Sequence, residues 1–269
     1  TLIIWMDVRT AFEEGRIRSI EQVENSDFFA NNSTCQRYLL CELASENDNS
    51  MFPEIPVDDS PIQRGNKYYF GIDAAYRGKD TIKLSVVALT KEGTIRILAV
   101  ENINKGQKWI LGQTSKYVLA QIKDVIRKIR PRYISVDIGF GAYIAENLAG
   151  NGTYRVEGVN FGAGTNKERV KKRHYSAKYG DNMRAEMHLD FQDLLQKGKV
   201  TCTSQVKEKI KEEMEAVTTI SRSNGKTGII SKDQVKAIIG HSPDDLDSVL
   251  LGIHSAIADT LTDAYGIYS

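Results

Sequence analysis

The chain is poor in the residues and runs that mark several classes of protein. Its three cysteines, Cys35, Cys41 and Cys202, form no CxxC pair, which argues against a disulfide framework and a thiolate zinc site and favours a reducing compartment. No apolar run approaches the roughly 20 residues that a membrane-spanning helix needs. The formal net charge is only +1, so any surface that binds nucleic acid must be a local patch.

A polar, proline-containing segment separates the first part of the chain from the rest. The stretch SENDNSMFPEIPVDDSPIQRGN carries three of the five prolines and is typical of a linker. We therefore predict a connector over residues 1–66 and one domain over residues 67–269. The opening TLIIWMDVRTAF has neither an initiator methionine nor the layout of a signal peptide, so we expect a fragment of a longer protein.

Three consecutive strands are predicted at the start of the second part. KYYFGIDAAY, TIKLSVVALT and TIRILAVENI are rich in β-branched and aromatic residues, and the turn KEG joins the last two. This pattern predicts an antiparallel meander. A helix with an apolar stripe then ends before Pro131 and leads to the short strand RYISVDIG.

Helices and strands alternate after that point. AYIAENLAG is predicted as a helix closed by Gly150, YRVEGVNF as a strand, and two helices then precede a hairpin around Asn224-Gly225. A last helix begins within HSPDDLDSVLLGI. A meander followed by parallel strands and helices predicts an α/β protein whose mixed central sheet carries helices on both faces. This is the element order of a ribonuclease H-like fold.

Two predicted strands end in an aspartate, Asp73 and Asp137. Open α/β sheets place their sites at such strand ends, although Asp is also a common turn residue. In a ribonuclease H-like topology the two strands are neighbours, so the two carboxylates would meet and repel each other. A divalent cation offsets this repulsion best, and oxygen ligands select Mg²⁺ or Mn²⁺.

The stretch HSPDDLDSVLLGI places Asp244, Asp245 and Asp247 at the start of a helix. Ser242 and Asp245 have nearly the spacing of a capping box, and acids in a first turn also suit the helix dipole. Capping does not explain Asp247, which lies among apolar residues, and it does not require Asp244. We expect Asp244 to join the two strand-end acids, with His241 as a neighbour. Three such carboxylates can hold two ions for phosphodiester hydrolysis.

Four stretches of the sequence resemble the C-terminal nuclease domain of phage terminase large subunits. The resemblance covers about residues 66–258, and its most specific parts are the Asn-x-Arg-Ala-Glu-Met run at 182–187 and the Ser-Pro-Asp-x-x-Asp run at 242–247. It implies a viral DNA-packaging endonuclease that cleaves concatemeric double-stranded DNA, with residues 1–66 as the connector after a missing ATPase domain. The four stretches are FGIDAAYRGKDTIKLSVVAL, YISVDIGFGA, DNMRAEMHLDFQDLLQKGKV and ISKDQVKAIIGHSPDDLDSVLLGI.

The resemblance also implies a set of metal ligands and partners. The catalytic acids fall on Asp73, Asp137 and Asp244, with the third ligand left open among Asp244, Asp245 and Asp247, and His241 matches a histidine that some relatives use. Two Mg²⁺ or Mn²⁺ ions are the implied cofactors. The implied partners are viral DNA, the portal protein and the small terminase subunit, and the implied location is the host-cell cytoplasm.

A basic stretch precedes the helix that contains the Asn-x-Arg-Ala-Glu-Met run. Such a stretch is most often a solvated loop, but beside a metal site it also suits a phosphate backbone. Lys232, close before the last acids, is either another DNA contact or a surface lysine. The predicted DNA-binding residues are Lys167, Arg169, Lys171, Lys172, Arg173, Lys178 and Lys232.

Three other interpretations remain open at the level of sequence. FGIDAAY and VDIGFG loosely fit an actin-like ATPase, although AAYRGKDT has a single glycine where a phosphate loop is expected. A Holliday-junction resolvase has the same superfold. A docking module for a portal ring would use the acids only as helix caps. NGKTG at 224–228 is not a P-loop, because the first glycine of that motif would fall at Ile220.

Overall fold

The computed structural model describes residues 12–15, 50–74, 82–103, 114–150, 154–164, 180–221 and 226–265. The chain divides into two compact units, Thr1–Ser50 and Met51–Ser269. In the first unit only residues 12–15 and 50 are described. The description below concerns the second unit.

A six-stranded mixed sheet forms the centre of this unit. Its strands stand in the order β5-β4-β1-β2-β3-β6, and β1, β2 and β3 form the predicted antiparallel meander. Strand β4 pairs in parallel with both β1 and β5, and β6 pairs in parallel with β3. The strands of the predicted hairpin, β7 and β8, form a separate antiparallel pair, and the turn around Asn224-Gly225 lies outside the described residues. The strands are β1 (Lys67–Asp73), β2 (Lys83–Leu89), β3 (Ile95–Asn102), β4 (Tyr133–Asp137), β5 (Arg155–Val159), β6 (Val200–Cys202), β7 (Thr219–Ser221) and β8 (Thr227–Ile229).

Helices cover both faces of the sheet, as the pattern of elements predicts. Buried residues of α1 and α2 form one apolar core with Phe70, Ile72 and Ile134 of the sheet. Buried residues of α3, α4 and α6 form the other core with Tyr69 and Val87. The helices are α1 (Thr114–Ile129), α2 (Ile138–Ala149), α3 (Met183–Gln196), α4 (Ser204–Ala216), α5 (Lys232–Ile239) and α6 (Asp244–Tyr265).

Helix α6 lies unusually close to strand β1. A Cβ atom added to Gly71 would stand 2.0 Å from the Ser248 carbonyl oxygen and 2.2 Å from the Gly252 nitrogen. Only glycine therefore permits this contact between strand and helix. The Ser85 hydroxyl on β2 donates to the Ser248 carbonyl at 2.7 Å and fixes the same region of the helix. The first turn of α6 is thereby held beside the end of β1.

Several details differ from the sequence-based expectations. Strand β6 and helix α5 were not predicted, because a three-residue edge strand and an eight-residue helix carry weak patterns. Helix α2 begins directly at Ile138, before the predicted start near Ala142. The compact unit begins at Met51, before the boundary predicted near residue 66, because Met51, Phe52 and Ile55 belong to the core.

None of the helices in the described part of the chain is long and apolar enough to span a membrane.

Candidate active site

The carboxyl ends of two neighbouring strands bring Asp73 and Asp137 to one edge of the sheet. Strands β1 and β4 pair in parallel up to Ile72 with Val136, and each aspartate is the next residue along its strand. Both side chains are buried. The Asp137 carboxylate also caps α2, because its Oδ1 accepts a hydrogen bond from the Gly139 amide at 3.1 Å. The topology thus produces the neighbourhood that the two strand-end acids predict.

The first turn of α6 adds Asp244 and Asp247 to the same edge. Asp247 is fully buried, whereas the Asp244 side chain keeps 15% of its surface exposed. The Ser242 hydroxyl donates to Asp244 Oδ1 at 2.5 Å, so this serine orients a site carboxylate. We call Asp73, Asp137, Asp244 and Asp247 the acidic cluster.

The ammonium group of Lys232 lies among these acids. Its Nζ stands 2.7 Å from Asp247 Oδ2, 3.2 Å from Asp73 Oδ2 and 3.8 Å from Asp244 Oδ1. Lys232 is the first residue of α5, which a capping box at Ser231 and Gln234 starts at this point. Lys232 thus forms ion pairs inside the cluster, which differs from the alternative of a solvated surface lysine. Its contact with DNA stays a prediction.

A second cation, Arg184, holds Asp247 from the opposite side. The Arg184 Nε donates to Asp247 Oδ1 at 3.3 Å, and its Nη1 donates to the Ile230 carbonyl at 2.9 Å. Burial alone would raise the pKa of Asp247, but the charges of Arg184 and Lys232 outweigh it and hold that pKa at about 2. Asp247 is therefore a permanently ionised residue that links α6 to α3 and α5.

The electrostatics of the remaining acids favour a bound cation. Burial, together with the charges of Asp247, Asp244 and Asp137, raises the pKa of Asp73 to about 8 although Lys232 opposes the shift. Burial also raises the pKa of Asp137. Burial would lower the pKa of Lys232, but the neighbouring aspartates raise it above its ordinary value. The acids therefore stabilise a positive charge at this edge of the sheet.

Two of the candidate metal ligands point away from the acidic cluster. Asp245 forms an ion pair with Lys83 at 2.7 Å, and Lys83 stands opposite Asp73 in the β1–β2 ladder. His241 is exposed and lies 3.6 Å from Glu212 and 3.8 Å from Glu213. Ser242 and Asp245 do not form the capping box that their spacing suggests. The Ser242 hydroxyl donates a hydrogen bond to Asp244, and Asp245 forms an ion pair with Lys83.

Three buried residues near the site are not among the site residues that the sequence predicts. Arg184 lies in the Asn-x-Arg-Ala-Glu-Met run, which is the signal that could have identified it. Glu186, in the same run, is buried and accepts a hydrogen bond from the Gly180 amide at 2.5 Å. Glu213 accepts from the Leu246 amide at 2.6 Å and so satisfies an N-terminal donor of α6 from a different helix.

His188 is a buried residue of the helix α3. Its ring is buried and stacks on Phe52 with the ring centroids 6.0 Å apart. Burial and the nearby charge of Arg184 lower the pKa of His188 to about 3, so the ring stays neutral near physiological pH. His174 lies outside the described residues.

The ends of the basic segment are described, although the segment itself is not. The predicted DNA-binding residues at positions 167–178 lie outside the described residues. Before it, Phe161 places its ring centroid 5.4 Å from Lys232 Nζ, and its carbonyl accepts from the Arg184 amide at 3.0 Å. After it, Gly180 bonds to Glu186. Both flanks of the segment are thus tied to the part of α3 that supports the acidic cluster.

The donor set of the cluster fits a hard divalent cation. All the converging groups are carboxylate oxygens, and three of them already surround one positive charge. In the arrangement described here, no group of three or more His, Cys, Asp or Glu side chains among the described residues is placed around a common metal position. The Lys232 ammonium stands at the point where these oxygens converge.

Comparisons with known proteins place the fold. No family model and no curated protein matches the sequence. The nuclease domain of the large terminase subunit gp2 of bacterial virus Sf6 is similar in structure, with a TM-score of 0.51 at 14% identity over 70% of this chain and 88% of that chain. A mutant of that domain with manganese and beta-thujaplicinol gives a TM-score of 0.52 at 11% identity over the same shares.

A third solved structure, a mutant of the same Sf6 domain with calcium, gives a TM-score of 0.51 at 13% identity, covering 70% of this chain and 88% of that chain. These likenesses confirm the predicted fold: the chain has the ribonuclease H-like architecture that is found in the nuclease domains of phage large terminase subunits.

Proposed function

We propose that this chain is a metal-dependent endonuclease and that the acidic cluster is its active site. The observation that carries the proposal is the convergence of carboxylates from β1 and α6 on one cation, beside Asp137 at the end of the neighbouring parallel strand β4. Buried acids with raised pKa values are typical of functional sites rather than of helix caps. The likeness in fold to solved nuclease domains supports the same activity.

Asp73, Asp137 and Asp244 are the residues that would hold Mg²⁺ or Mn²⁺. Asp244 is favoured over the other two candidates as third ligand, because Asp245 is paired with Lys83 and Asp247 is buried between Arg184 and Lys232. Two bound ions would activate water and stabilise the leaving oxygen of a phosphodiester. Lys232 would favour the ionised form of the acids and hold them close together, and Arg184 would hold Asp247 in place.

The substrate that fits best is viral double-stranded DNA. Comparable domains from bacterial virus Sf6 belong to terminase large subunits, and two of them were solved with manganese or calcium. The basic segment at 167–178, whose flanks are tied beside the cluster, would contact phosphates without reading bases. In this proposal the chain acts in the host cytoplasm beside a portal protein and a small terminase subunit.

Plasmid cleavage tests the proposal directly. We expect the protein to nick and then linearise supercoiled plasmid in Mn²⁺ or Mg²⁺, and to leave it intact in EDTA. Asp73→Asn should abolish cutting, because it removes a buried ligand at the centre of the cluster. Asp124→Asn is the matched control, since it removes an exposed carboxylate on α1 that pairs with Arg127, one turn further along the same helix.

Each alternative interpretation has its own outcome in this experiment. EDTA-resistant cutting, or cutting by the Asp73→Asn variant at the rate of the unaltered protein, would contradict the proposal. Intact plasmid with ATP turnover would favour an actin-like ATPase, and intact plasmid without turnover would favour a docking module. Strong preference for a four-way junction over a linear duplex would favour a resolvase.

A further inference from the structure

The outer side of α1 carries a row of basic residues. Lys116, Lys123 and Arg130 follow one another at intervals of seven residues, which is nearly two helical turns, so they lie along one side of the helix. Lys116 and Arg130 are exposed, and Lys123 is partly exposed. Val118 and Ile122 lie on the other side and pack in the core with β1 and β4. We call Lys116, Lys123 and Arg130 the basic stripe.

Acids of the described part of the chain do not neutralise the basic stripe. In that part Arg127 pairs with Asp124 on the same helix, but no ion pair involves a residue of the stripe. Arg127 is left out of the stripe because Asp124 neutralises it. Helix α4 shows the contrast, since its lysines are interspersed with glutamates. In a chain whose net charge is only +1, the stripe is therefore a local concentration of positive charge.

The stability of the fold does not account for two members of the stripe. Lys116 lies in the first turn of α1, where the positive end of the helix dipole disfavours a cation. Arg130 has a φ of 57°, and no other residue except glycine has a positive φ in the described part of the chain. Glycine adopts this left-handed conformation without steric cost, whereas a side chain strains the backbone. Cations at two unfavourable positions are typical of a functional surface rather than of a structural one.

Helix α1 leads from the edge of the acidic cluster to the opposite edge of the sheet. Strand β3, before the helix, ends beside Lys83, which pairs with Asp73 in the ladder, and β4, after the helix, begins at the far edge. Sixteen helical residues span about 24 Å and seven strand residues about 23 Å, so α1 crosses the depth of the sheet. The stripe extends over about 21 Å, a distance along which one DNA strand carries about six phosphates.

We propose that the basic stripe binds the phosphate backbone of the DNA that leads away from the cutting point. The inference rests on the proposed function in taking DNA as the ligand, and it adds a second contact surface to the basic segment at 167–178. Three cations neutralise three phosphates, and contacts of this kind read no bases. The surface therefore holds duplexes of any sequence equally and weakens as the salt concentration rises.

Binding of a labelled duplex to the complete protein in EDTA, followed by fluorescence anisotropy at several salt concentrations, tests the inference without cutting. The triple variant Lys116→Gln, Lys123→Gln, Arg130→Gln lacks the charges of the stripe. Its slope of log Kobs against log salt concentration should be less steep by about 2.7, since each phosphate contact contributes about 0.9. Arg130→Gly alone should weaken binding and yet raise the urea midpoint, because it relieves the left-handed backbone. A lower midpoint would show that this arginine serves the fold and would contradict its place in the stripe.

The matched control removes three exposed lysines outside α1 in the variant Lys91→Gln, Lys199→Gln, Lys211→Gln, and should keep the slope of the unaltered protein. The same slope for the stripe variant and the unaltered protein would overturn the inference. An equal change in both triple variants would also overturn it, because the general charge of the protein would then account for binding.

Two further outcomes separate this inference from its alternatives. If the stripe variant loses binding to poly-glutamate but keeps the DNA slope, the stripe belongs to an acidic protein partner and the inference fails. A slope that depends on the stripe, in a protein that cuts no plasmid in Mn²⁺, would contradict the proposed function and support the inference.

Discussion

At the scale of single residues, the acidic cluster is held together by the charge of Lys232. Three carboxylate oxygens from β1 and α6 lie within 4 Å of its Nζ, and the aspartates are almost entirely removed from water. Without a cation, ionised groups so close together would repel one another strongly. The lysine and a divalent ion therefore satisfy the same electrostatic requirement at nearly the same place.

Removal of this lysine should make the protein depend on divalent ions for stability. We expect Lys232→Ala to lower the free energy of unfolding by about 3 kcal/mol in EDTA, because it leaves buried carboxylates without their partner. Saturating Mn²⁺ should then raise the melting temperature of this variant more than that of the unaltered protein, as a ligand of the folded state does. Thermal melting with and without Mn²⁺ measures both effects.

The matched control is Lys236→Ala, which removes an exposed lysine one turn further along α5. It should change neither the stability in EDTA nor the response to Mn²⁺. An equal response of all three proteins to Mn²⁺ would contradict the view that Lys232 occupies the place of a cation.

Glu213 should make stability fall as the pH rises. Burial, together with the nearby aspartates, raises the pKa of Glu213 to about 9. The hydrogen bond that Glu213 accepts from the Leu246 amide opposes this shift. Between its ordinary pKa of 4.5 and about 9, the folded protein retains a proton that the unfolded chain releases. The stabilisation is therefore complete below the ordinary pKa and is lost as the pH rises toward about 9.

Glu213→Gln should remove this part of the pH dependence, because glutamine can accept from Leu246 but does not titrate. Urea unfolding from about pH 5 to about pH 9 would show a flatter curve for the variant than for the unaltered protein. Glu215→Gln, an exposed change on the same helix, should leave the curve unaltered. Parallel curves for Glu213→Gln and the unaltered protein would show that the carboxyl group does not titrate in this range.

Sequence predicts the acids of this site better than their partners. Asp73 and Asp137 stand at the ends of well-marked strands, so their meeting follows from the topology alone. Lys232 lies on the helix directly before α6, but its sequence context suggests a DNA contact or a surface lysine and not a partner of the acids, and Glu213 reaches α6 from α4 without a local signal. Their roles arise from tertiary packing, which local patterns do not record.

At the scale of elements, α6 reaches the site through a contact that only glycine allows. Gly71 of β1 faces Ser248 and Gly252 of the helix without an intervening side chain. Further along, the Ser255 hydroxyl donates to the Phe70 carbonyl at 3.0 Å, and Asp259 accepts from the Tyr69 hydroxyl at 2.9 Å. Polar bonds along the length of α6 thus fix its register on β1.

Gly71→Ala should therefore displace α6 and disturb the site. The added methyl group would meet backbone atoms at about 2 Å, and backbone cannot yield as a flexible side chain can. We expect a loss of at least about 3 kcal/mol in the free energy of unfolding, measured by urea denaturation, and a fall in plasmid cutting. Gly164→Ala is the control, because no atom lies within 4 Å of its added Cβ. Equal stability of the two variants would contradict the tight contact.

At the scale of the whole molecule, the compact unit includes residues that look like a linker. Met51, Phe52 and Ile55 are buried in the core, and the Phe52 ring lies 5.1 Å from that of Phe191. The segment around these three residues is polar and contains prolines, so its composition predicts a linker. A prediction from the average composition of a segment does not detect a few buried side chains within it. The general architecture was predictable from the strands and helices, whereas the start of the unit was not.

A fragment that begins at residue 67 should be less stable than one that begins at residue 51. The shorter fragment lacks three buried apolar side chains, which together contribute roughly 5 kcal/mol. Urea denaturation of the two fragments measures the difference directly. The same denaturation midpoint for both would place the boundary near residue 66, as the sequence suggests.

Helix α6 belongs both to the core and to the acidic cluster, and this affects how the protein would lose its proposed activity. The same continuous helix packs in the larger core and carries Asp244 and Asp247. We therefore expect the acidic cluster and the core to lose their structure together. On slow heating, inactivation and global melting should share one midpoint.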